Sequence, residues 1–403
     1  MNDGQAANGR QESEYSLPTV RGRGLRTGYT TGACAAAAAK AATLALLTGN
    51  PVGEVSIHLP IGRDVTMRVH RCEWAGNGKA VLCSTIKDGG DDPDATHGAE
   101  ICATVSLDPE ATGEVRIVGG LGVGTVTRPG TGIAIGEPAV TRVPRRMIIE
   151  SVREAAGSQG LGAEAGFIVQ VSVPGGEEIA KKTTNARLGI MGGISILGST
   201  GVVQPYSTAA WRASVHMAID VASANGLPHL VLSTGTQSEA FTKQCLDLPE
   251  MAYIEAGIFS GPALKRCVTR KVARATHAGM VGKLSKMAMG YFVTHVAGNK
   301  VDCTFLASLA AECGASPQVQ EEMRLASSAR HFQEIAQAHG LLAVFPLMCR
   351  LVCDESLKLL GADSAALIVD ALCFDFDGSL LGWASTSPGG IPLVASSGAA
   401  PDG

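Results

Sequence analysis

The chain has few aromatic residues, few charges and no long apolar run. Aromatic residues make up 4% and charged residues 17% of its 403 residues, and the formal net charge is −4. It therefore lacks the basic excess with which a general nucleic-acid binder displaces counterions. No run reaches the roughly 18 apolar residues of a membrane span, because Lys40 interrupts the best candidate. We expect a protein that binds neither nucleic acid nor membrane.

The eleven cysteines form no CxxC pair, and none has a histidine at zinc-site spacing. Their number is odd and no secretory signal precedes them. We interpret them as reduced thiols, most of them small buried apolar residues, in a cytoplasmic protein that holds no metal of its own.

Changes in composition and in the hydrophobic pattern divide the chain into four parts. Residues 1–20 predict a disordered tail, and residues 385–403 predict a flexible tail. Between 21 and 150, an alanine-rich helix precedes short alternating segments, which indicate an α+β domain with an antiparallel or mixed sheet. From 151 to 384, strand-like and helix-like runs alternate, as is typical of a Rossmann-like α/β domain with a mainly parallel sheet.

Two glycine-flanked threonines precede the alanine-rich helix. Thr30 and Thr31 stand where a helix N-terminus leaves free N–H groups, so an anionic group could bind there beside Arg26. An ordinary threonine cap explains the same residues. Both interpretations stay open at the level of sequence.

An aspartate-rich segment occupies residues 87–98 (KDGGDDPDATHG) and lacks the ligand spacing of an EF-hand loop. Crowded carboxylates raise the pKa of at least one member, which could then act as a base, or they accept hydrogen bonds from a polar ligand. The alternative is a solvated loop in which aspartates form turns. The candidate catalytic residues are Asp92 and His97, and the candidate substrate-binding residues are Lys87, Asp88 and Asp91.

Glycine is abundant, with 50 residues, and clusters in the segment 189–201 (GIMGGISILGSTG). We predict that residues 188–191 form a strand of the parallel sheet, and an open α/β sheet binds its ligand at the carboxyl end of such a strand. The loop has Ser199 where a P-loop has lysine, which favours a nucleoside ligand without phosphates over NTP hydrolysis. A turn without a ligand is the alternative. The candidate cofactor-binding residues here are Gly192, Gly193, Ser195, Gly198, Ser199 and Thr200.

Two shorter loops follow other predicted strands. Residues 233–237 (STGTQ) follow one strand, and residues 279–286 (GMVGKLSK) carry two lysines into a helix. Their predicted place at the carboxyl ends of parallel strands makes them candidate pocket loops, although Gly and Ser also end strands for structural reasons. Gly235 and Thr236 are candidate cofactor-binding residues, and Lys283 is a candidate substrate-binding residue.

Three long motifs, in order, resemble the CbiD family, whose members are cobalt-precorrin-5B C(1)-methyltransferases of the anaerobic cobalamin pathway. They are residues 26–40 (RTGYTTGACAAAAAK), 86–100 (IKDGGDDPDATHGAE) and 189–201. Residues 282–286 and the pair Thr294-His295 are similar to a later motif of the family, but the continuation after His295 departs from the usual His-Ser-Arg. The resemblance runs from about residue 25 to 376.

The resemblance implies an enzyme that transfers a methyl group from S-adenosylmethionine to ring carbon C-1 of cobalt-precorrin-5B to give cobalt-precorrin-6A. Cobalt arrives inside this substrate, so the protein need not bind a metal. The peripheral carboxylates of the macrocycle need cations. The motifs offer Arg26, Lys87, Lys181, Lys182, Arg187, Lys283 and Lys286, of which we take Arg26, Lys87, Lys181 and Lys283, with Thr30 and Thr31, as candidates.

Two other functions stay open. One is a small-molecule kinase with an ATP-binding α+β domain, because a Thr/Gly loop that enters an alanine-rich helix also occurs in such domains. The other is a non-catalytic tetrapyrrole carrier, which would hold a corrinoid and ignore S-adenosylmethionine. Transient contact with neighbouring pathway enzymes and a homo-oligomer are both compatible with the sequence.

Overall fold

The structure is a computed structural model and describes residues 24–110, 112–294 and 301–394. The chain divides into two compact units between Thr208 and Ala209. The predicted disordered tail 1–20 and His295 lie outside the described residues.

The N-terminal unit contains a five-stranded sheet, several short paired strands and two long helices. Its sheet has the order β4-β5-β6-β10-β7, in which only β10 and β7 are parallel neighbours. This is the predicted mixed sheet of an α+β domain. The elements are β1 (Gly28–Tyr29), α1 (Thr31–Thr48), β2 (Glu54–Leu59), β3 (Arg63–Arg68), β4 (Arg71–Ala75), β5 (Ala80–Ile86), β6 (Glu100–Leu107), β7 (Val115–Gly119), β8 (Gly122–Val123), β9 (Thr125–Val126), α2 (Arg142–Ser158), β10 (Phe167–Ser172), α3 (Gly176–Ala180), β11 (Ile190–Met191), β12 (Gly193–Ile194) and β13 (Val202–Val203).

The predicted domain boundary near residue 150 is wrong. Strand β10 lies between β6 and β7, so that Val169 pairs with Val105 on one side and with Ile117 on the other. Because the side chains of Phe167 and Val169 are fully buried, this sheet and its core are incomplete without the residues beyond 150. The N-terminal unit therefore extends to Thr208, and the parallel sheet belongs wholly to the C-terminal unit.

Helix α1 is buried on nearly all sides. Its alanines from 33 to 39 have no exposed surface, and it contacts α2, β5 and β6. Among the described residues it is the one helix long and apolar enough to cross a membrane, but 78% of it is buried inside the protein. Lys40 lies 2.7 Å from Glu154 of α2 and donates to the carbonyl of Ser56. These contacts are those of a core helix, in which small side chains allow close packing.

The C-terminal unit contains a sheet of order β15-β14-β16-β17-β18, in which the first four strands are parallel and β18 is antiparallel. Leu230 and Leu232 pack against helices on one face, and Val231 packs against others on the opposite face. The prediction of a mainly parallel sheet is confirmed. The elements are α4 (Thr208–Ala224), β14 (His229–Ser233), α5 (Thr236–Cys245), β15 (Tyr253–Glu255), α6 (Ser260–Thr269), β16 (Arg274–Met280), α7 (Val281–Ala288), α8 (Cys303–Glu312), α9 (Pro317–Arg324), α10 (Ala329–Ala338), α11 (Val344–Leu360), β17 (Ile368–Phe374) and β18 (Leu380–Ser385).

The strand order creates a switch point between β14 and β16. The chain leaves β14 through α5 to reach β15 on one side, whereas β16 pairs with β14 on the other side. In open α/β sheets, ligands bind outside the carboxyl ends of the strands at such a point. The loop after β14 and the start of α7 after β16 occupy this position.

The prediction of a flexible tail from residue 385 is wrong for residues 385–394. Thr386 donates its N–H to the carbonyl of Val369, and Val394 donates its N–H to the carbonyl of Cys245. Ile391 is buried in the C-terminal unit. Residues 386–394 are therefore part of this unit, and residues 395–403 lie outside the described range.

The eleven cysteines are free thiols, as predicted, and eight of them are buried. Burial raises the pKa of Cys34 to about 11 and that of Cys267 to about 12. Because the thiolate is the reactive form, these two side chains behave as small apolar residues near neutral pH.

Two buried histidines lie on neighbouring strands of the C-terminal sheet. The Oγ1 of Thr276 donates to Asp370, so His229 is the donor in its 2.8 Å contact with that hydroxyl. His277 follows Thr276 in β16, and its ring packs near that of Phe292, with 6.0 Å between the ring centroids. Burial lowers the pKa of both histidines to about 4, with Arg274 adding to the effect on His229. Both imidazoles are therefore neutral in the folded protein near pH 6.

We expect the C-terminal unit to lose stability as the pH falls from 6.5 to 5. The unfolded histidines bind protons near pH 6.5 and the folded ones only near 4, so protonation favours the unfolded state in this window. The free energy of unfolding should fall by about 1–2 kcal/mol per histidine over this range, and His277→Phe should remove about half of the slope. Burial raises the pKa of Asp370, which opposes the loss at the acid end. Urea titrations at several pH values test this, and a flat profile would contradict it.

Candidate functional site

The first two motif segments pack directly against each other in the N-terminal unit. Tyr29 donates its N–H to the carbonyl of Asp88 at 2.7 Å, and Asp91 donates its N–H to the carbonyl of Arg26 at 2.9 Å. A Cβ at Gly28 would lie 2.2 Å from the carbonyl carbon of Gly89, and one at Gly90 would lie 2.2 Å from the Arg26 oxygen. Only glycine allows the two backbones to come this close.

The third motif segment covers the N-terminus of α1. Gly32 donates its N–H to the carbonyl of Leu197, and Ala33 donates to the Oγ1 of Thr30. Leu197 in turn donates to the Oγ1 of Thr31, and both threonines are buried. The predicted anion site at Thr30 and Thr31 is wrong, because the N–H groups it needs are already bonded. The alternative of an ordinary threonine cap is confirmed.

The sequence predicts that the loop 192–201 follows a strand of the parallel sheet, and the structure contradicts this prediction. Of the predicted strand 188–191, only Ile190–Met191 form a strand (β11), which pairs with β9 of the N-terminal unit instead of with the parallel sheet. Gly198 has φ +127°, and a Cβ there would lie 2.4 Å from Thr30. A Cβ at Gly193 would lie 2.2 Å from the carbonyl oxygen of Gly122. These glycines serve contacts within the unit.

The hydroxyl groups of the same loop differ in exposure. Ser195 is buried and donates to the side chain of Asn185 at 3.3 Å, while Thr200 donates to the carbonyl of Val202 at 2.9 Å. Gly192 and Ser199 are exposed. The premise of a cofactor loop after a parallel strand is therefore wrong.

Many polar groups of the aspartate-rich loop form hydrogen bonds or ion pairs with residues of the same unit. Buried Lys87 lies 2.5 Å from Asp94, and the same carboxylate accepts from the N–H and hydroxyl of Thr96. Asp92 accepts the N–H of Tyr206 at 2.8 Å. The prediction that Lys87 meets substrate is wrong, because its ammonium is buried and paired. The turn-forming alternative explains most of these contacts.

Arg26 lowers the pKa of Asp88 by donating to its carboxylate, and the N–H of Gly90 adds to this. Burial would raise the pKa of Asp94, but hydrogen bonds from Lys87 and Thr96 outweigh it, and the pKa falls. The expectation that crowding raises a carboxylate pKa is wrong for both groups. Neither Asp88 nor Asp94 is a base suited to neutral pH.

His97 accepts the N–H of Gly89 at its Nδ1, 3.0 Å away, and its ring is half exposed. In the neutral ring the proton therefore sits on Nε2. His97 thus presents an N–H donor to solvent. Arg26 and Asp91 are exposed on the same motif pair, and Lys181 lies farther along the chain in a surface ion pair with Glu178.

A cavity of about 640 Å³ opens at the switch point of the C-terminal unit. The loop after β14, the start of α7 and the start of α10 line it, and they bring together Gly235, Thr236 and Lys283. Lys283 donates to the carbonyl of Thr234, and burial lowers its pKa. Both loops that the sequence marked as pocket candidates line this cavity. That Gly235 and Thr236 bind cofactor and that Lys283 binds substrate stay predictions.

The cavity is also lined by Lys286, Thr294 and Gln333, which were not among the predicted site residues. Lys286 was noted only as an available cation, and its spacing from Lys283 signals one face of a helix. Thr294 precedes the segment 295–300, which lies outside the described residues. Gln333 comes from a helix about a hundred residues after β14, and no motif marks it. Such residues converge only through the tertiary fold.

A model of the CbiD family matches residues 19–205, and a model of the CbiD C-terminal domain matches residues 293–385. The chain belongs to the CbiD family. All three long motifs lie inside the first match, which ends close to the division between the units. The switch-point loops of this CbiD chain lie between the two matched ranges.

The CbiD chain has several curated relatives, each named cobalt-precorrin-5B C(1)-methyltransferase. One from Geobacillus sp. (strain WCH70) is 46% identical over 91% of this chain and 98% of its own length. One from Thermus thermophilus is 48% identical over 90% and 95%, and one from Leptospira interrogans is 44% identical over 90% and 96%. A crystal structure of the cobalamin biosynthesis protein cbiD from Archaeoglobus fulgidus is 26% identical, covers 78% of this chain and 85% of that one, and has a TM-score of 0.35.

Proposed function

We propose that this CbiD chain methylates ring carbon C-1 of cobalt-precorrin-5B, with S-adenosylmethionine as methyl donor, to give cobalt-precorrin-6A. The names of relatives that are 44–48% identical over about nine tenths of the chain support this activity. The structural observation that carries it is the cavity at the switch point, where a doubly wound sheet binds small ligands.

The cavity residues fit a nucleoside that carries an amino-acid tail. The volume of about 640 Å³ is that of a small-molecule site. Val281, Val301 and Phe376 supply apolar surface for a purine, and open space surrounds the position of a Cβ at Gly235. We place the cofactor here, against Gly235 and Thr236, instead of at the loop 192–201, where Gly193, Gly198 and Gly201 make close contacts with their own unit.

The chemistry that S-adenosylmethionine supplies is an electrophilic methyl group on a sulfonium. The protein contributes by orienting the reacting groups and by excluding water. Good alignment lowers the activation free energy by up to about 7–11 kcal/mol. The apolar lining serves water exclusion, and the backbone at Gly235 allows close approach.

The substrate contacts form a separate part of the proposal. Within the N-terminal unit, exposed or half-buried side chains suit the carboxylates and polar edges of a macrocycle. Lys283 is a separate candidate cation, which lines the cavity of the C-terminal unit. We retain Asp92 and His97 as the catalytic candidates, with His97 as a hydrogen-bond donor. The retained substrate-binding candidates are Arg26, Asp88, Asp91, Lys181 and Lys283.

Turnover of cobalt-precorrin-5B with methyl-labelled S-adenosylmethionine tests the proposed function. We expect one labelled methyl group per product, detected as a mass increase of one methyl group. Asp92→Asn and His97→Ala should each lower kcat/KM by about 10-fold or more if they touch substrate. Folded variants that match the parent rate would make the aspartate-rich loop purely structural.

Calorimetric titration separates the proposal from the other functions. S-adenosylmethionine or its demethylated product should bind, and ATP should not. Tight ATP binding without a response to S-adenosylmethionine would favour the kinase. Corrinoid binding without S-adenosylmethionine binding would favour the carrier.

A further inference from the structure

Lys286 is a buried cation in the wall of the switch-point cavity. Lys286 is 4% exposed, and its Nζ lies 3.5 Å from the carbonyl oxygen of Thr294. Within the described ranges, no carboxylate lies at ion-pair distance from this ammonium. Burial lowers its pKa, as expected for a charge removed from water. Charges this buried are ordinarily paired, so a counter-charge from a ligand would complete the site.

The same wall holds two buried polar atoms without protein partners. The Oγ1 of Thr294 and the Oε1 of Gln333 accept or donate no hydrogen bond within the described part of the chain, and their residues are 1% and 2% exposed. Buried polar groups are satisfied in the great majority of cases. Gln333 Oε1 can only accept, so it needs a donor from a ligand.

Two helices also begin at this cavity without a side-chain cap in the described chain. The N-cap residues of α5 and α7 are Gly235 and Met280, and the first residues of both helices line the cavity. The first N–H groups of a helix carry a partial positive charge and have no partner inside the helix. Together with Lys286, they favour a negatively charged group in the cavity.

We infer that the cavity binds the zwitterionic α-amino-acid end of a ligand, with its carboxylate at Lys286 and its ammonium at Gln333. A cationic donor and a buried acceptor in one cavity match the two charges of an amino acid, whereas a phosphate would leave Gln333 Oε1 without a donor. The inference rests on the proposed function, because S-adenosylmethionine carries such an end. It assigns the methionine tail to this wall and the nucleoside to the apolar remainder.

The test compares two probes that differ in this tail. S-adenosylhomocysteine has the amino-acid end, and methylthioadenosine lacks it. In calorimetric titrations of the full chain, Lys286→Met should weaken S-adenosylhomocysteine binding by about 10- to 100-fold and leave methylthioadenosine within about 2-fold. Gln333→Leu should act in the same direction. Lys358→Met, which removes an exposed lysine of the same unit, is the matched control and should change neither affinity.

Several results would overturn the inference while leaving the proposed function intact. An equal loss of both probes would show that Lys286 does not read the tail. If Lys286→Met bound S-adenosylhomocysteine as the parent does but had a raised KM for cobalt-precorrin-5B, the partner of Lys286 would be a carboxylate of the macrocycle. The Tm of ligand-free Lys286→Met should be equal to or above that of the parent, since an unpaired buried charge is lost; a clear fall in Tm would also overturn the inference. A parent that binds neither probe and shows no turnover would instead refute the proposed function.

Discussion

Gly28→Ala should unfold the N-terminal unit or leave it barely stable. The added Cβ would lie 2.2 Å from the carbonyl carbon of Gly89 and 2.3 Å from the carbonyl oxygen of Asp88. Both contacts are with backbone, which cannot turn aside as a flexible side chain can. The N–H of Tyr29 also bonds to the Asp88 carbonyl, so relief of the clash would break this hydrogen bond. We expect the free energy of unfolding to fall by more than about 3 kcal/mol, measured by urea denaturation.

Gly53→Ala is the matched control for this substitution. Gly53 belongs to the same unit, no atom lies within 4 Å of its Cβ position, and its φ is outside the left-handed region. We expect a change within about 0.5 kcal/mol. If Gly28→Ala were as stable as Gly53→Ala, the first two motifs would not be packed as described.

Asp94→Ala should destabilise the aspartate-rich loop by about 3–5 kcal/mol, because it leaves the buried ammonium of Lys87 without its partner. The two groups are 2.5 Å apart, and the Lys87 side chain is 1% exposed. The hydrogen bonds to Thr96 are lost as well. Thermal and urea denaturation measure the effect, and we expect methyl transfer to fall with the ordering of the loop.

A double variant isolates the cost of the unpaired charge. Lys87→Met combined with Asp94→Ala removes both charges, so it should be more stable than Asp94→Ala alone. Asp64→Ala, which removes an exposed aspartate that contacts His58, should change stability by less than about 1 kcal/mol. A double variant no more stable than Asp94→Ala would mean that the loss comes from the Thr96 contacts and not from the buried charge.

Local patterns predicted many elements of the fold. Alternation predicts strands at 55–59, 65–69, 80–83, 102–106 and 115–118, close to the observed β2, β3, β5, β6 and β7. The alanine-rich helix, predicted over 33–47, begins and ends within two residues of these bounds. These signals are local, since they come from the side-chain period and from turn residues. The domain boundary failed because it depends on strand pairing: β10 looks like the first strand of an α/β domain, and only its partners β6 and β7 assign it to the earlier sheet.

The candidate site was predicted unevenly for a related reason. Gly235, Thr236 and Lys283 were identified because the carboxyl ends of parallel strands share one edge. The glycines of the loop 192–201 carried the same signal, but Gly198 is required by its close contact with Thr30, and Gly193 by its close contact with Gly122. The sequence alone does not show whether a glycine makes room for a ligand or for a neighbouring residue of the protein. Gln333 could not be found, because its helix reaches the cavity only through packing.

The position of β10 also sets an order in time. Strand β7 ends at Gly119 and β10 ends at Ser172, so about 50 residues must be synthesised after β7 before the strand between β6 and β7 exists. At about 5–20 residues per second, this takes roughly 3–10 s on the ribosome. During that interval the edges of β6 and β7 that β10 will cover have no partner, and unpaired edges invite association with other chains. A nascent chain paused between these two strands should therefore depend more on chaperones than one released beyond Ser172.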